Sequence, residues 1–214
     1  MGIMNKYLLG FYDYTVILTY AGTLTAFHGI LALMNGRPRQ AILCLMVAGF
    51  CDMFDGAVAS TKKRNRHEKQ FGIQIDSLND IVAFGIFPAL FVYTMAPESH
   101  FSVMAASTYL LCALIRLAYF NVMEEERQDA CDQGRTEYMG LPVTTAALAL
   151  PAIYELHSLM PGLTFHVYGT LLFVMAVLFI SPIRIRKPQR IGKLGMLAVG
   201  TVLLLGMMAG GWRV

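Results

Sequence analysis

An all-α, polytopic transmembrane bundle of six core helices plus a seventh is the fold class this chain predicts, and three observations predict it. Of its 214 residues 56% are hydrophobic and only 14% are charged, with a mean hydropathy of +0.54, a balance too apolar for a soluble domain of this length. Seven apolar runs recur along the chain, most of them near the roughly 20 residues a helix needs to cross a bilayer. Lys and Arg collect in particular loops between those runs, which is the asymmetry that orients a membrane protein.

The runs, in order, are 14–34, 41–60, 81–95, 101–123, 141–160, 163–181 and 194–211. Ahead of the first, "MGIMNKYLLGFYDY" lacks a basic segment followed by an apolar core and a small-residue cleavage site, so no cleavable secretory signal is expected. Position 6 is Lys rather than Ser or Thr, which argues against myristoylation at Gly2. The loop after the second run holds Lys62, Lys63, Arg64, Arg66 and Lys69, and the loop after the sixth holds Arg184, Arg186, Lys187, Arg190 and Lys193. By the positive-inside rule both face the cytoplasm. The loop 124–139, with Arg127 and Arg135, falls on the same side by alternation, opposite "NGRPRQ", "APESH" and "MPG". The N-terminus is then inside and the C-terminus outside.

The acidic stretch "EEERQDACDQG" is expected to be a solvated loop, and Gly140-Leu141-Pro142 to set a helix start, since Pro suits a first helical turn. Cys44, Cys51, Cys112 and Cys131 stand at unrelated spacings and predict neither a disulfide framework nor a zinc site. His28 is expected to be a packing residue, and the fourteen Met residues are apolar filler. No repeat or low-complexity tract divides the chain, so one membrane domain over 1–214 is expected, with the lipid bilayer and no nucleic acid as its surroundings.

Inside this apolar background, "FCDMFDGAVAS" places Asp52 and Asp55 at the end of the second run, and Asp76 and Asp80 stand at the start of the third. A charged carboxylate at mid-bilayer costs about 2.5–3.5 kcal/mol on insertion scales. Asp52 and Asp55, three apart, share a helix face that Gly56 and Ala59 continue; Asp76 and Asp80, four apart, share one with Gly72. Small residues would let the two faces approach and gather four acids round one wet pocket open to the cytoplasm. Four carboxylates need cations, and oxygen ligands of this kind suit Mg²⁺ or Mn²⁺. The simpler alternative pairs Asp52 and Asp55 with Lys62 or Lys63.

These residues resemble a family, the integral-membrane CDP-alcohol phosphotransferases, whose signature is D-x-x-D-G-x-x-A-R, eight residues, then G-x-x-x-D-x-x-x-D. Asp52, Asp55, Gly56, Ala59, Gly72, Asp76 and Asp80 occupy seven of its eight fixed positions. Ser60 stands where the Arg would be, and eleven residues rather than eight separate it from Gly72. The resemblance implies attack by an alcohol on the β-phosphorus of a CDP-linked lipid, with CMP leaving. It implies Asp52, Asp55 and Asp76 as metal ligands, and Asp80 as general base and ligand of a second metal. Asp55, Gly56, Ala59, Ser60 and Gly72 would line the CDP site, and Lys62, Lys63 or Arg64 would replace the missing cation. A homodimer is expected because it is common in the family.

"FGIQIDSLNDIVAFGIFPA", "LIRLAYFNV" and "YMGLPVTTAA" look like the branch that uses CDP-diacylglycerol and L-serine, with Tyr119 where a second Arg is usual. Arg116, inside an apolar run, should face an anion, a phosphate or the acceptor's carboxylate; Asn121 is a second candidate contact. Asp13 is the nearest counterpart of an Asn usual near the first helix. Other acceptors (glycerol 3-phosphate, inositol phosphate, choline) are the near alternative, and a divalent-cation transporter is the alternative of another class.

Overall fold

The computed structural model describes residues 10–12, 14–97, 99–130, 137–160, 164–186 and 190–209. A single 3-10 turn, Tyr14–Val16, leads into α1 (Ile17–Met34), and α2 follows as Pro38–Ala59. Helix α3 runs Arg66–Met95, α4 His100–Ala130, α5 Ala146–Leu159, α6 His166–Ile180 and α7 Arg190–Ala209. The helices Tyr14–Met34, Pro38–Ala59, Arg66–Met95 and His100–Arg127 are long and apolar enough to cross a membrane, while His166–Ile180 and Leu194–Met207 are shorter apolar helices. Large side chains such as Ile17, Leu24, Phe27, Leu111 and Leu114 lie exposed on the outside. That surface suits lipid and not water, and the chain is an all-α membrane bundle.

Three boundaries differ from the sequence expectation, each for a local reason. Helix α3 begins four turns before Asp80, because a capping box opens it: Asn65 Oδ1 accepts from the Glu68 amide at 2.8 Å and Glu68 Oε2 from the Asn65 amide at 2.9 Å. Helix α4 continues through Glu124–Arg127, so this acidic stretch is helix and not loop, braced by an ion pair between those two residues. The remainder of the stretch, from Cys131, lies outside the described residues.

The third difference is a two-stranded antiparallel ribbon, β1 (Glu137–Met139) with β2 (Arg184–Arg186), which ties the start of α5 to the end of α6. Gly140 leaves it at φ +73°, and a Cβ there would collide with the Phe179 carbonyl, so only Gly fits. Pro142 sits in extended backbone one residue before the 3-10 turn Val143–Thr145, rather than inside the helical turn.

Glycine brings the helices together away from the acids. A Cβ on Gly29 of α1 would lie 2.5 Å from the Phe87 ring and 2.8 Å from Cys44 Cβ, so α1 packs tightly on α2 and α3, as small residues allow in lipid. Phe84, Phe87 and Phe91 of α3, Tyr109 of α4 and Tyr168 of α6 are fully buried at the core. Pro88 has no amide to offer the carbonyl four residues back, and Ile81–Ile86 adopts a π-helical turn. That carbonyl, Phe84 O, instead accepts the buried Tyr109 hydroxyl at 2.5 Å. His28 is exposed, not packed, and its ring bonds Leu24 O within its own helix.

Candidate active site

Helices α2 and α3 each present two carboxylates to the same place. One oxygen from each of Asp52, Asp76 and Asp80 lies within 4.8 Å of the others. Asp55 lies beside Asp76 and accepts a hydrogen bond from Thr19 Oγ1 of α1 at 3.2 Å. All four sequence-predicted acids therefore form one cluster, walled by α1. Asp55 and Asp80 are buried, and Asp80 Oδ1 has no hydrogen-bond partner among the described residues.

At an effective dielectric near 20, two carboxylates about 5 Å apart repel by about 3 kcal/mol, and a buried oxygen left unbonded adds roughly 1–3 kcal/mol or more. A bound divalent cation removes both costs. The donor set is oxygen only, which fits a hard ion such as Mg²⁺ or Mn²⁺, and the orphaned Asp80 Oδ1 is the atom that such an ion would satisfy.

Of the two expectations for the small residues of the motif, close helix approach and room for a nucleotide, the surroundings of Gly56 fit the second. Gly56 lies one turn after Asp52, is exposed, and among the described residues a Cβ there would meet nothing within 4 Å, so none of the described helices packs on it. Gly72, one turn before Asp76, is covered by the Arg64 guanidinium, whose Nη1 lies 2.8 Å from where its Cβ would be. Ala59 is half-buried near the end of α2, and Ser60 caps that end with its hydroxyl donating to Ala57 O at 2.7 Å. Lys62 Nζ is 3.3 Å from Glu68 Oε1, and Lys63 is exposed.

From α4, Arg116 is 8% exposed, within electrostatic reach of Asp80 and stacked 5.6 Å over the Phe120 ring. It faces an anion, as the cost of burying a guanidinium requires. Asn121 Oδ1 accepts from Ser77 Oγ at 2.7 Å, so it ties α4 to α3 between the two acids of α3. Tyr119 is half exposed, its hydroxyl 3.8 Å from Met139 Sδ at the ribbon. Three residues at the site were not singled out from sequence: Thr19, Thr23 and Asn79. Thr23 Oγ1 donates to Asn79 Oδ1 at 2.8 Å, and Asn79 is 3% exposed. The signal was present in α1, where Thr19 and Thr23 stand one turn apart beside Gly22 and Ala26. Asp13 lies outside the described residues.

The cluster and its surroundings fall within residues 15–181, which match the family described as CDP-alcohol phosphatidyltransferase. Over 148 residues the chain is 33% identical to the CDP-diacylglycerol–serine O-phosphatidyltransferase of Saccharomyces cerevisiae, covering 66% of this chain and 52% of that protein. It is 27% identical over 152 residues to the archaetidylserine synthase of Methanothermobacter thermautotrophicus, covering 70% and 61%. A CDP-diacylglycerol–serine O-phosphatidyltransferase of Methanocaldococcus jannaschii is 27% identical over 176 residues, covering 82% and 76%. The matched stretch thus spans about half the length of the yeast protein. With more than three quarters of its length inside the family match, the chain belongs to the CDP-alcohol phosphatidyltransferases.

Proposed function

We propose that this chain transfers the phosphatidyl group of CDP-diacylglycerol to the hydroxyl of L-serine, giving phosphatidylserine and CMP. The observation that carries the reaction class is the gathering of Asp52, Asp76 and Asp80 oxygens within 4.8 Å, with the space beside Gly56 left open by the described residues. The choice of serine is supported by the relatives from Saccharomyces cerevisiae and Methanocaldococcus jannaschii, both named as CDP-diacylglycerol–serine O-phosphatidyltransferases.

Asp52, Asp55 and Asp76, with Asp80 completing a second position, would hold Mg²⁺ or Mn²⁺, which when bound neutralises diphosphate charge and polarises the phosphorus. The chain's own residues do the rest. Asp80, buried beside Asp52 and Asp76, takes the serine hydroxyl proton on the carboxylate oxygen that the ion would leave uncovered, as the new O–P bond forms. The P–O bond to CMP breaks, and CMP leaves with that electron pair. Gly56, Ala59, Ser60 and Gly72 border the CDP. Arg116 balances Asp80 and is placed to meet the carboxylate of serine; Asn121 holds α4 in register with α3 through Ser77. CDP-diacylglycerol reaches the site sideways from the bilayer, because its acyl chains cannot leave lipid cheaply, and serine comes from the cytoplasm, the side the basic loops face. The domain is 1–214, acting as a homodimer.

A cation transporter would need polar groups onward from the acids, yet Phe84, Phe87, Phe91 and Val92 close α3 beyond Asp80 with fully buried apolar side chains. The decisive experiment measures CMP release by purified protein in lipid–detergent micelles with CDP-diacylglycerol and Mn²⁺ or Mg²⁺, adding one acceptor at a time. Release with serine alone is expected. Release with glycerol 3-phosphate, inositol phosphate or choline in its place keeps the reaction and replaces the acceptor; no release with any, together with metal-dependent flux in vesicles, sinks it.

A further inference from the structure

Resting on the function just proposed, we infer that Arg64 binds the diphosphate of the CDP-linked substrate. The loop that carries it is three residues longer than the motif's usual gap, and the structure shows where the extra length goes. The capping box of α3 fixes Asn65 through both its side chain and its amide. Glu68, the partner in that box, also draws Lys62 at 3.3 Å. Arg64, immediately before the cap, is left with its backbone held and its side chain turned back along α3. Its guanidinium lies over Gly72, with Nη1 2.8 Å from the position of a Cβ. Any larger residue at 72 would displace it.

Gly72 and Asp76 are one turn apart on one helix face, so the guanidinium lies about one helical turn from Asp76, on the loop side of the cluster. Acids alone do not bind a diphosphate; it also needs donors. A guanidinium presents a planar fork of N–H groups matched to phosphate oxygens, and it sheds water more readily than an ammonium. As the P–O bond to CMP breaks, charge grows on the departing phosphate, and a donor already in place is worth most at that moment. Lys63, exposed, and Lys62, engaged by Glu68, are less suited to it.

The competing role for Arg64 is a counter-ion that merely quiets Asp76. The two roles differ in what they do to metal. The test uses full-length protein in lipid–detergent micelles, wild type against Arg64→Ala, Arg64→Gln and Arg64→Lys, with thermal midpoints compared first. Mn²⁺ binding without nucleotide is followed by the electron paramagnetic resonance of free Mn²⁺, CDP binding with saturating Mn²⁺ by calorimetry, and KM and kcat by CMP release. For Arg64→Ala and Arg64→Gln we expect Kd for CDP and KM for CDP-diacylglycerol to rise about 10- to 100-fold, the range for lost charged hydrogen bonds. Arg64→Lys should lose less, KM for serine should stay within about twofold, and Mn²⁺ should bind as well as before or more tightly. Unchanged CDP affinity with altered Mn²⁺ affinity would overturn the inference and leave the proposed function standing. A wild-type protein that binds Mn²⁺ but not CDP would overturn both.

Discussion

Between Arg66 and Asp80, α3 carries five charged residues; between Phe87 and Met95 it carries none. The first stretch is fastened by hydrogen bonds: the capping box at Asn65, Ser77 to Asn121, and Asn79 to Thr23. The second is fastened by packing, with Phe87, Phe91 and Val92 fully buried and Gly29 of α1 pressed against the Phe87 ring. The π-helical turn Ile81–Ile86 divides them, directly after Asp80. One continuous helix thus holds a wet, like-charged cluster in place by anchoring its other half in a dry core. Substitutions in the first half should therefore change chemistry more than stability, and substitutions in the second half the reverse.

Asp80→Asn should give the largest effect. Removing a general base slows a reaction by about 10²–10⁴-fold. The metal-free protein should nevertheless keep its thermal midpoint in detergent to within a little, because the repulsion with Asp52 and Asp76 that is relieved offsets the attraction to Arg116 that is lost. CMP release and thermal unfolding of the same preparation check this. A fall in midpoint as steep as the fall in rate would mean the acids hold the fold, and the contrast between the two halves would fail.

Tyr109→Phe tests the other half. It strips the hydroxyl from Phe84 O, the carbonyl that Pro88 cannot serve, and leaves that oxygen buried and unbonded at a cost of about 1–3 kcal/mol. A lower thermal midpoint with a nearly unchanged kcat in the folded fraction is expected. Tyr109→Phe together with Pro88→Ala should recover part of the loss, since an alanine amide can reach the vacated carbonyl. If kcat falls by more than about tenfold in Tyr109→Phe, the π-helical turn is transmitting strain to Asp80, and the halves are not separable.

Thr19→Val crosses the boundary from α1. It removes the hydroxyl that holds Asp55 at 3.2 Å while keeping shape. Groups that orient a metal ligand typically contribute 10–100-fold in metal affinity, and Asp55 keeps Asp76 and its neighbours beside it, so about a tenfold weaker Mn²⁺ affinity is expected, read by titration with little change in midpoint. Equal Mn²⁺ affinity would show that Asp55 is not held through α1.

How much of this was legible in the sequence follows the same division. The four acids and the face they share could be read from spacings of three and four, because helical periodicity fixes direction. The anion-facing Arg116 was legible because a buried guanidinium has few alternatives. Thr19, Thr23 and Asn79 were not read, since single hydroxyls and amides in apolar helices also bond their own backbone; Thr25 does, to Ala21 O. Gly56 kept two readings for a related reason: a glycine admits either a neighbouring helix or open space, and spacing alone cannot distinguish them. The apolar run of α3 was placed from Ile81, with Asp76 and Asp80 at the start of its helix, because hydropathy marks where lipid begins, whereas Asn65 and Glu68 mark where the helix begins. The ribbon pairs segments nearly fifty residues apart, beyond the reach of local pattern.

The smallest effect should come from Lys62→Met, and it sharpens the comparison most finely. The ion pair with Glu68 is about one-third exposed on the Lys side, so screening and side-chain entropy leave it worth about 0.2–1 kcal/mol at most. Glu68 retains its bond to the Asn65 amide when Lys62 is gone, so the helix start survives. Rate and midpoint should both move little, the rate by less than about threefold. Asn65→Ala, by contrast, removes the cap itself at about 1 kcal/mol and frees the loop that aims Arg64 at Gly72. If Asn65→Ala raises KM for CDP-diacylglycerol while Lys62→Met does not, the loop acts through its helix cap. Charge in that loop then matters by where it is pointed, and the sum of basic residues there is not the relevant quantity.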